Sequence, residues 1–355
     1  MLTGFTGSVS KLLDFLMPPP RADQIIQMDG DLIFPMLGDG FDFGDRNNGF
    51  FHEAHIFSNV QVWPRFGAVI NVFGELIERT LYDAKRSERV RKNLRKYPSK
   101  DISGYVTSVE FLWSGANHYH QLVDVHARLW SLRQSQLAGV PVTLLHTYDW
   151  NEGYKKLIRA IAPNVSFRKV SERCIFRCEH YIHLPFLSKS LLPELFEEVT
   201  SIGNLPGGFI EFHKAELPEI FPSDRVFSEN LYVGRPTALK RRLKNESDLV
   251  GELEKFGFEF LDFSNLSLAD QFGAFRRARK IVAIHGAGMA NILAAQKGPW
   301  YLEVFPSELM LRRYLSPAAD FGLIKYDSIC GDGNHLDDDF LVSIDAVLAK
   351  VCSQG

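Results

Sequence analysis

The chain reads as an α/β protein in two parts, and three observations carry that reading. From Tyr232 onward, β-branched and aromatic runs alternate with amphipathic stretches across short connections, the pattern of a parallel sheet covered by helices. Within that region, residues 280–306 (KIVAIHGAGMANILAAQKGPWYLEVFP) read as strand, glycine-rich turn, short helix and second strand, with His285 at the first strand's tip. Finally, 355 residues with 45% hydrophobic content suffice for two domains, each with its own core. The expected division is an N-terminal α/β domain over 1–215 and a C-terminal Rossmann-like domain over 216–355. Residues 203–223, with NLPGG and two further prolines, form the crossover.

In chain order, residues 1–20 lack a basic start and an uninterrupted apolar run, so no signal peptide is read there. Leu12, Leu13, Phe15 and Leu16 form one apolar helix face, suited to docking on the protein or on a membrane surface. No window reaches the roughly 20 apolar residues of a membrane span. Residues 59–75 suggest hairpins punctuated by Pro64 and Gly67. Residues 119–138 read as one helix stopped by Gly139, with a strand at 141–146 behind it. On that helix His120, Asp124 and Arg128 are spaced four apart and share a face, placing a base, a carboxylate and a guanidinium together. The bland alternative is an exposed Asp124–Arg128 ion pair with His120 as a bystander.

In the C-terminal part, 225–233 offers a strand, 246–256 a helix closed by Gly257, and 258–263 a second strand. Ser267 caps the next helix, with Asp270 as a capping-box-like partner. The chain closes on an amphipathic helix at about 340–352. The segment YVGRPTALKRRLKNE sets Arg235 just past a strand, followed by Lys240, Arg241, Arg242 and Lys244. An arginine at a strand end suits a phosphate, because its planar fork donates two parallel hydrogen bonds; the later four also fit a solvated basic patch. The HGAG turn supports phosphate binding through free amides at a helix start, or simply close packing of that helix on the sheet.

Other chemistries lack support. A net charge of −3 gives no overall attraction to nucleic acid. Cys174, Cys178, Cys330 and Cys352 form no CxxC pair, and with His180 and His183 the spacing is too compressed for a zinc finger, so no metal site is expected. The Asp/Gly stretches at 38–49 and 330–339 fit turn chemistry better than an EF-hand. GxSxG, HExxH, Walker and GxGxxG patterns are absent, which argues against serine hydrolases, zincins, P-loop enzymes and dinucleotide oxidoreductases.

Taken together and in order, NHYHQLVDVHARL, YVGRPTALKRRLKNE, LADQFGAFRRARKIVAIHGAGMANIL and YLEVFP resemble glycosyltransferase family 61. Gly234, where a serine is common, and Met289-Ala290, where Leu-Thr is more usual, depart from its pattern without removing a charge. The resemblance implies a GT-B-like architecture, two Rossmann-like domains facing across a cleft, and an inverting transfer from a nucleotide-sugar donor, expected to be UDP-linked, onto a saccharide acceptor. A non-catalytic nucleotide-sugar or glycan-binding module of the same fold is the alternative. On this reading His120, Asp124 and Arg128 are catalytic. Arg235, Arg242, Asn245, Glu246, His285, Gly286, Ala287, Gly288, Asn291 and Glu303 bind the donor, Glu303 through the ribose. No cofactor or metal is expected, no nucleic acid is a partner, and the acceptor is a free or lipid-linked glycan. The expected setting is the cytoplasm, with peripheral contact at the inner face of the membrane.

Overall fold

The computed structural model describes residues 24–25, 54–82, 86–94, 96–111, 114–115, 117–187, 205–308, 324–335 and 338–354. The apolar face at 12–16 and the Asp/Gly stretch at 38–49 lie outside them. Two sheets form the frame. The first contains β1 (Gln24–Ile25), β2 (His55–Trp63), β3 (Ala68–Ile70), β4 (Leu76–Ile77), β5 (Ser99–Thr107), β6 (Val142–His146), β7 (Val165–Lys169) and β8 (Ile175–His183). Its order is β4-β3-β2-β8-β5-β6-β7, with β1 against β2. The part built from β1 to β4 and β8 is antiparallel, and β5, β6 and β7 run parallel beyond β8. The expected hairpins at 59–75 are thus present. At Gly67 a φ of 60° turns the chain out of the 3-10 helix Pro64–Phe66, which glycine adopts without strain. Strands β5, β7 and β8 had no clear signal in the sequence. β8 carries Arg177, Glu179 and His180 among its apolar residues, because it is only partly covered on one face.

Helix α1 (Ser87–Leu94) lies beside β4. Helix α2 runs through His118–His120, a π-helical turn over Gln121–Val125 and His126–Arg133. It starts where expected, because the Asn117 side chain accepts hydrogen bonds from the amides of Tyr119 and His120. It ends short of Gly139, because Ser135 Oγ donates to Leu132 O and accepts from Leu137 N, turning the chain early. Helix α3 (Glu152–Ile161) follows β6, and α4 (Gly207–Ile220) occupies the crossover.

The second sheet is entirely parallel: β9 (Asn230–Gly234), β10 (Phe258–Asp262), β11 (Lys280–Ile284), β12 (Trp300–Phe305) and β13 (Lys325–Cys330), in the order β10-β9-β11-β12-β13. Helix α5 (Glu246–Glu254) links β9 to β10. Helix α6 (Leu268–Arg277), capped as expected by Ser267 on the Asp270 amide, links β10 to β11. A 3-10 helix (Ala287–Ala294) stands where the short helix was expected, and α7 (Ile344–Cys352) closes the chain, starting at the Ser343 cap rather than near 340. The α/β class therefore holds.

The three inner strands β9, β11 and β12 are buried on both faces, which explains their largely apolar sequences, while the edge strands β10 and β13 are more open. One face, with Tyr232, Val282, Ile284, Leu302 and Val304, packs on residues of α5 and α7. The other, with Leu231, Val233, Ile281, Ala283 and Tyr301, joins a core that also contains Leu122 and Leu129 of α2, Ile158 of α3, Phe209 of α4 and Phe275 of α6. That apolar core is continuous between the two sheets.

Candidate active site

In the second sheet β9 sits between β10 and β11, so the strand order reverses direction between β9 and β11. Ligands of open parallel sheets bind outside the carboxyl ends of the strands at such a point. Arg235 follows β9 and His285 follows β11, and the two meet: Arg235 Nη1 donates to His285 O at 2.8 Å. Gly286 permits this, because a Cβ there would stand 3.2 Å from Arg235 Nη1. Gly288 is similarly tight, since a Cβ would meet Phe263 Cδ2 at 3.1 Å. The amides of Ala287 and Gly288 lie in the first turn of the 3-10 helix and have no acceptor within it.

Glu246, at the start of α5, reaches back under this turn. Its Oε1 accepts from Arg235 N at 3.1 Å and from Tyr232 OH at 2.9 Å, and burial raises its pKa. A Cβ at Gly234 would overlap that same oxygen and come within 2.6 Å of Phe260, so the glycine there has a steric reason. Burial, reinforced by the nearby charge of Arg241, pushes the Arg235 guanidinium down to about 10, leaving it cationic at neutral pH. Arg241 adopts a φ of 61°, unusual for a branched-free cation outside glycine-like positions, and its Nε is buried without a hydrogen-bond partner.

The neighbouring predicted residues point elsewhere. Arg242 is held by Asp339, with Nε to Oδ2 at 2.9 Å and its amide to Oδ1 at 2.9 Å. Asn245 exchanges hydrogen bonds with the backbone of Val342. Both fasten the C-terminal segment, so among the later basic residues it is Arg241 that stands by Arg235. Glu303 differs from its expected role too. Its side chain is fully buried, with Oε1 accepting from His285 Nδ1 at 2.7 Å and Oε2 from Tyr326 OH at 2.7 Å, so it orients His285 and presents no open oxygen to a ribose. The His285 ring also stacks on Phe305, centroids 4.7 Å apart.

On the other half, His120 Nδ1 and Asp124 Oδ2 are 2.6 Å apart, with the His120 side chain 17% exposed and the Asp124 side chain buried. The rings of Tyr82, Phe111 and Tyr119 pack edge-on around His120. Arg128 is wholly buried. Its Nε donates to Leu184 O at 3.0 Å, its guanidinium lies 4.0 Å over Phe186, and both Nη atoms lack hydrogen-bond partners. Burial pushes it down to about 10, while the charges of Tyr181 and Asp124 favour its cationic form. An exposed Asp124–Arg128 surface pair is therefore not what forms. The carboxylate bonds to His120, and the arginine lies buried behind it as a counter-charge.

The two halves touch at this helix start. His118 Nε2 and Asn291 Oδ1 are 3.1 Å apart, and His118 Nδ1 and Tyr154 OH 2.7 Å apart. Asn291 Nδ2 donates to Gly288 O at 3.0 Å, so its oxygen is the acceptor. His118 must then donate from Nε2 and accept from Tyr154, which is the neutral tautomer. Burial agrees, pushing His118 down to about 4. His118 and Tyr154 were not among the expected site residues, and Arg241 was read only as part of the basic run after Arg235. His118 had a signal, two residues before His120 and one after its cap, but the four-residue spacing drew attention past it. The position of Tyr154 and the backbone turn at Arg241 have no local signature.

Cys174 is buried just before β8, Cys178 and His183 are buried within that strand, and His180 lies on it half-buried. Asp332 and Asp338 accept backbone amides of Leu341 and of Asn334 and His335, the turn chemistry expected. Among the described residues no helix is long and apolar enough to cross a membrane. No curated protein matches the chain. Residues 118–299, which run from the latch histidine through the HGAG turn to the loop before β12, match the family described as Glycosyltransferase 61.

Proposed function

We propose, from the premise that this chain belongs to glycosyltransferase family 61 and is a glycosyltransferase, that it is a GT-B-like inverting enzyme using a nucleotide-diphosphate sugar, UDP-linked, and a saccharide acceptor. The observation that carries this is the His118–Asn291 hydrogen bond, which ties the helix start bearing His120 to the anion-binding turn of the other half. His120 is two residues along from His118, so its Cα stands about 5.5 Å from the His118 Cα, its side chain turned to a different side of the helix. The elements that carry the proposed base and the proposed leaving-group turn are thereby in contact.

The reaction then runs across the junction. Asp124 holds His120 Nδ1–H, which leaves Nε2 to take the proton of an acceptor hydroxyl. That oxygen attacks the anomeric carbon from the face opposite the diphosphate, and the sugar–phosphate bond breaks with its electron pair on the leaving group. Arg235, Arg241 and the amides of Ala287 and Gly288 stabilise the charge that grows there. Arg128 lies behind Asp124 as a buried cation, and Asp124 steadies the imidazolium as it forms. His285, fixed by Glu303, shapes the turn that receives the phosphates. The setting proposed for this reaction is the cytoplasm, with a free or lipid-linked glycan as acceptor.

His120→Ala tests the assignment. A general base typically contributes about 10²–10⁴-fold, so turnover should fall by that order while calorimetric donor affinity stays near the parent value. Full turnover would remove His120 as the base. A thermal-shift panel of UDP-, GDP-, CMP- and dTDP-sugars identifies the donor, because only a ligand of the native state raises the melting point.

A further inference from the structure

One lobe of the molecule, built from residues that precede the site helix, carries two features that the transfer reaction does not use. The first is the hairpin tip between β3 and β4. Val72 and Phe73 there are 64% and 67% exposed, among the most exposed large apolar residues described. They are held out by a stiff turn. Asn71 N donates to Glu75 O at 2.9 Å and Gly74 N to Asn71 O at 3.0 Å. The buried Asn71 side chain accepts from the amides of Phe73 and Glu75, both at 2.9 Å, and its Nδ2 donates to Glu75 Oε2 at 2.9 Å. Gly74 supplies the left-handed φ of 82° that closes the turn. A tip ordered to this degree around a buried asparagine presents its two apolar side chains to solvent in one fixed arrangement.

The second feature is charge. Residues 71–100 contain nine Lys or Arg against four Asp or Glu, in a chain whose net charge is −3. On α1 and just beyond it, Arg89, Arg91, Lys92, Lys96 and Lys100 are exposed. Of the acids, Glu78 is paired with Arg91 at 2.6 Å and Glu75 is bound into the turn, with Glu88 on α1 left among the bases. Tip and helix belong to one lobe, since Ile70 and Leu76, which flank the tip, pack in the same apolar cluster as Val90 of α1.

We propose that this lobe is a docking surface for an anionic lipid bilayer, with Val72 and Phe73 entering the interface and the α1 cations facing lipid headgroups. An apolar wedge beside a basic helix matches both properties of such a surface: hydrocarbon just below the headgroups and a negative potential above them. A nucleic acid or an acidic polysaccharide would use the charge and leave the wedge without a purpose. The surface is independent of which donor or acceptor the enzyme takes.

The test is sedimentation of the full chain with vesicles of phosphatidylcholine alone and of phosphatidylcholine mixed with phosphatidylglycerol. Binding is expected to the mixed vesicles only, and to be lost at high salt, where surface charges are screened. Each cation removed weakens binding by about fivefold, so Lys92→Glu, Lys96→Glu and Lys100→Glu together should abolish it. Val72→Ser with Phe73→Ser should weaken it by roughly tenfold or more at constant charge. All these positions are exposed, so unfolding midpoints and sugar transfer to a soluble acceptor should match the parent. Failure to bind mixed vesicles overturns the proposal. So does undiminished binding by the Val72/Phe73 double variant, which would reduce the lobe to a patch for any polyanion.

Discussion

His120 and Asp124 stand one helical turn apart on α2, whereas His285 and Glu303 come from the ends of adjacent strands, 18 residues apart in sequence. Their geometry is nearly the same: 2.6 and 2.7 Å, each with a buried carboxylate and a histidine slightly exposed. The third partner differs. Behind Asp124 lies the buried cation Arg128, and beside Glu303 lie the phenols of Tyr326, which donates to it, and Tyr301, whose own ionisation its charge opposes. A carboxylate backed by a cation is suited to answer the charge of a proton arriving on its histidine. One bonded to a neutral phenol chiefly fixes a ring in place. In the proposed reaction the same pair of side chains serves proton transfer in one half and positioning in the other.

The largest expected effect breaks that comparison directly. Asp124→Asn should lower kcat by about 10²–10³-fold with donor affinity little changed. Glu303→Gln, which must present an amide hydrogen to either His285 or Tyr326, should act mainly on donor KM. If both variants shift kcat alone and equally, the two pairs do the same job.

Next is the arginine pair on the donor side. Arg241→Ala should raise donor KM by about 10–100-fold, the range of a lost charged hydrogen bond, and Arg242→Ala by less than about threefold. Steady-state kinetics with the donor varied separates them. Gly234→Ala should follow, costing about 1–3 kcal/mol of stability by forcing Glu246 and Phe260 to move, read as a lower urea midpoint.

The smallest expected effect concerns the latch. His118 titrates near 6.5 when unfolded and about 4 when folded, so between those values the unfolded chain binds more protons. Its contribution is complete above about pH 6.5 and is lost as the pH falls toward 4. His213, pushed down to about 4 by burial, behaves alike. Glu110, which burial pushes up to about 7, runs the other way, its contribution fading as pH rises from 4.5 to 7. The difference between parent and His118→Asn urea midpoints across pH isolates the latch. A constant difference from pH 7 to 4 would contradict a neutral, buried His118.

What the sequence made legible follows from how each contact is built. The His120–Asp124 pair is local, and its four-residue spacing announces it. Arg235 meeting His285 could be expected once both were placed at strand ends of one sheet. The Glu303–His285–Tyr326 chain depends on sheet register, which pairs Ala283 with Glu303 and sets β13 alongside, and no spacing encodes it. The choice of Arg241 over Arg242 turns on one left-handed backbone angle between adjacent identical residues. Strand β8 was hidden because its outer face is polar, and the reach of His118 into the other half required the tertiary fold.

The core shared by the two sheets has a thermodynamic consequence. With Leu231 and Val233 of one half packed in the same apolar cluster as Leu122 and Phe209 of the other, neither half can melt without exposing the other's interior. A calorimetric scan should therefore show one heat-absorption peak with matching van't Hoff and measured enthalpies. By the same token, substrate exchange is expected to proceed by rearrangement at the strand ends, and a wide hinge swing between the halves would come at the cost of partial unfolding.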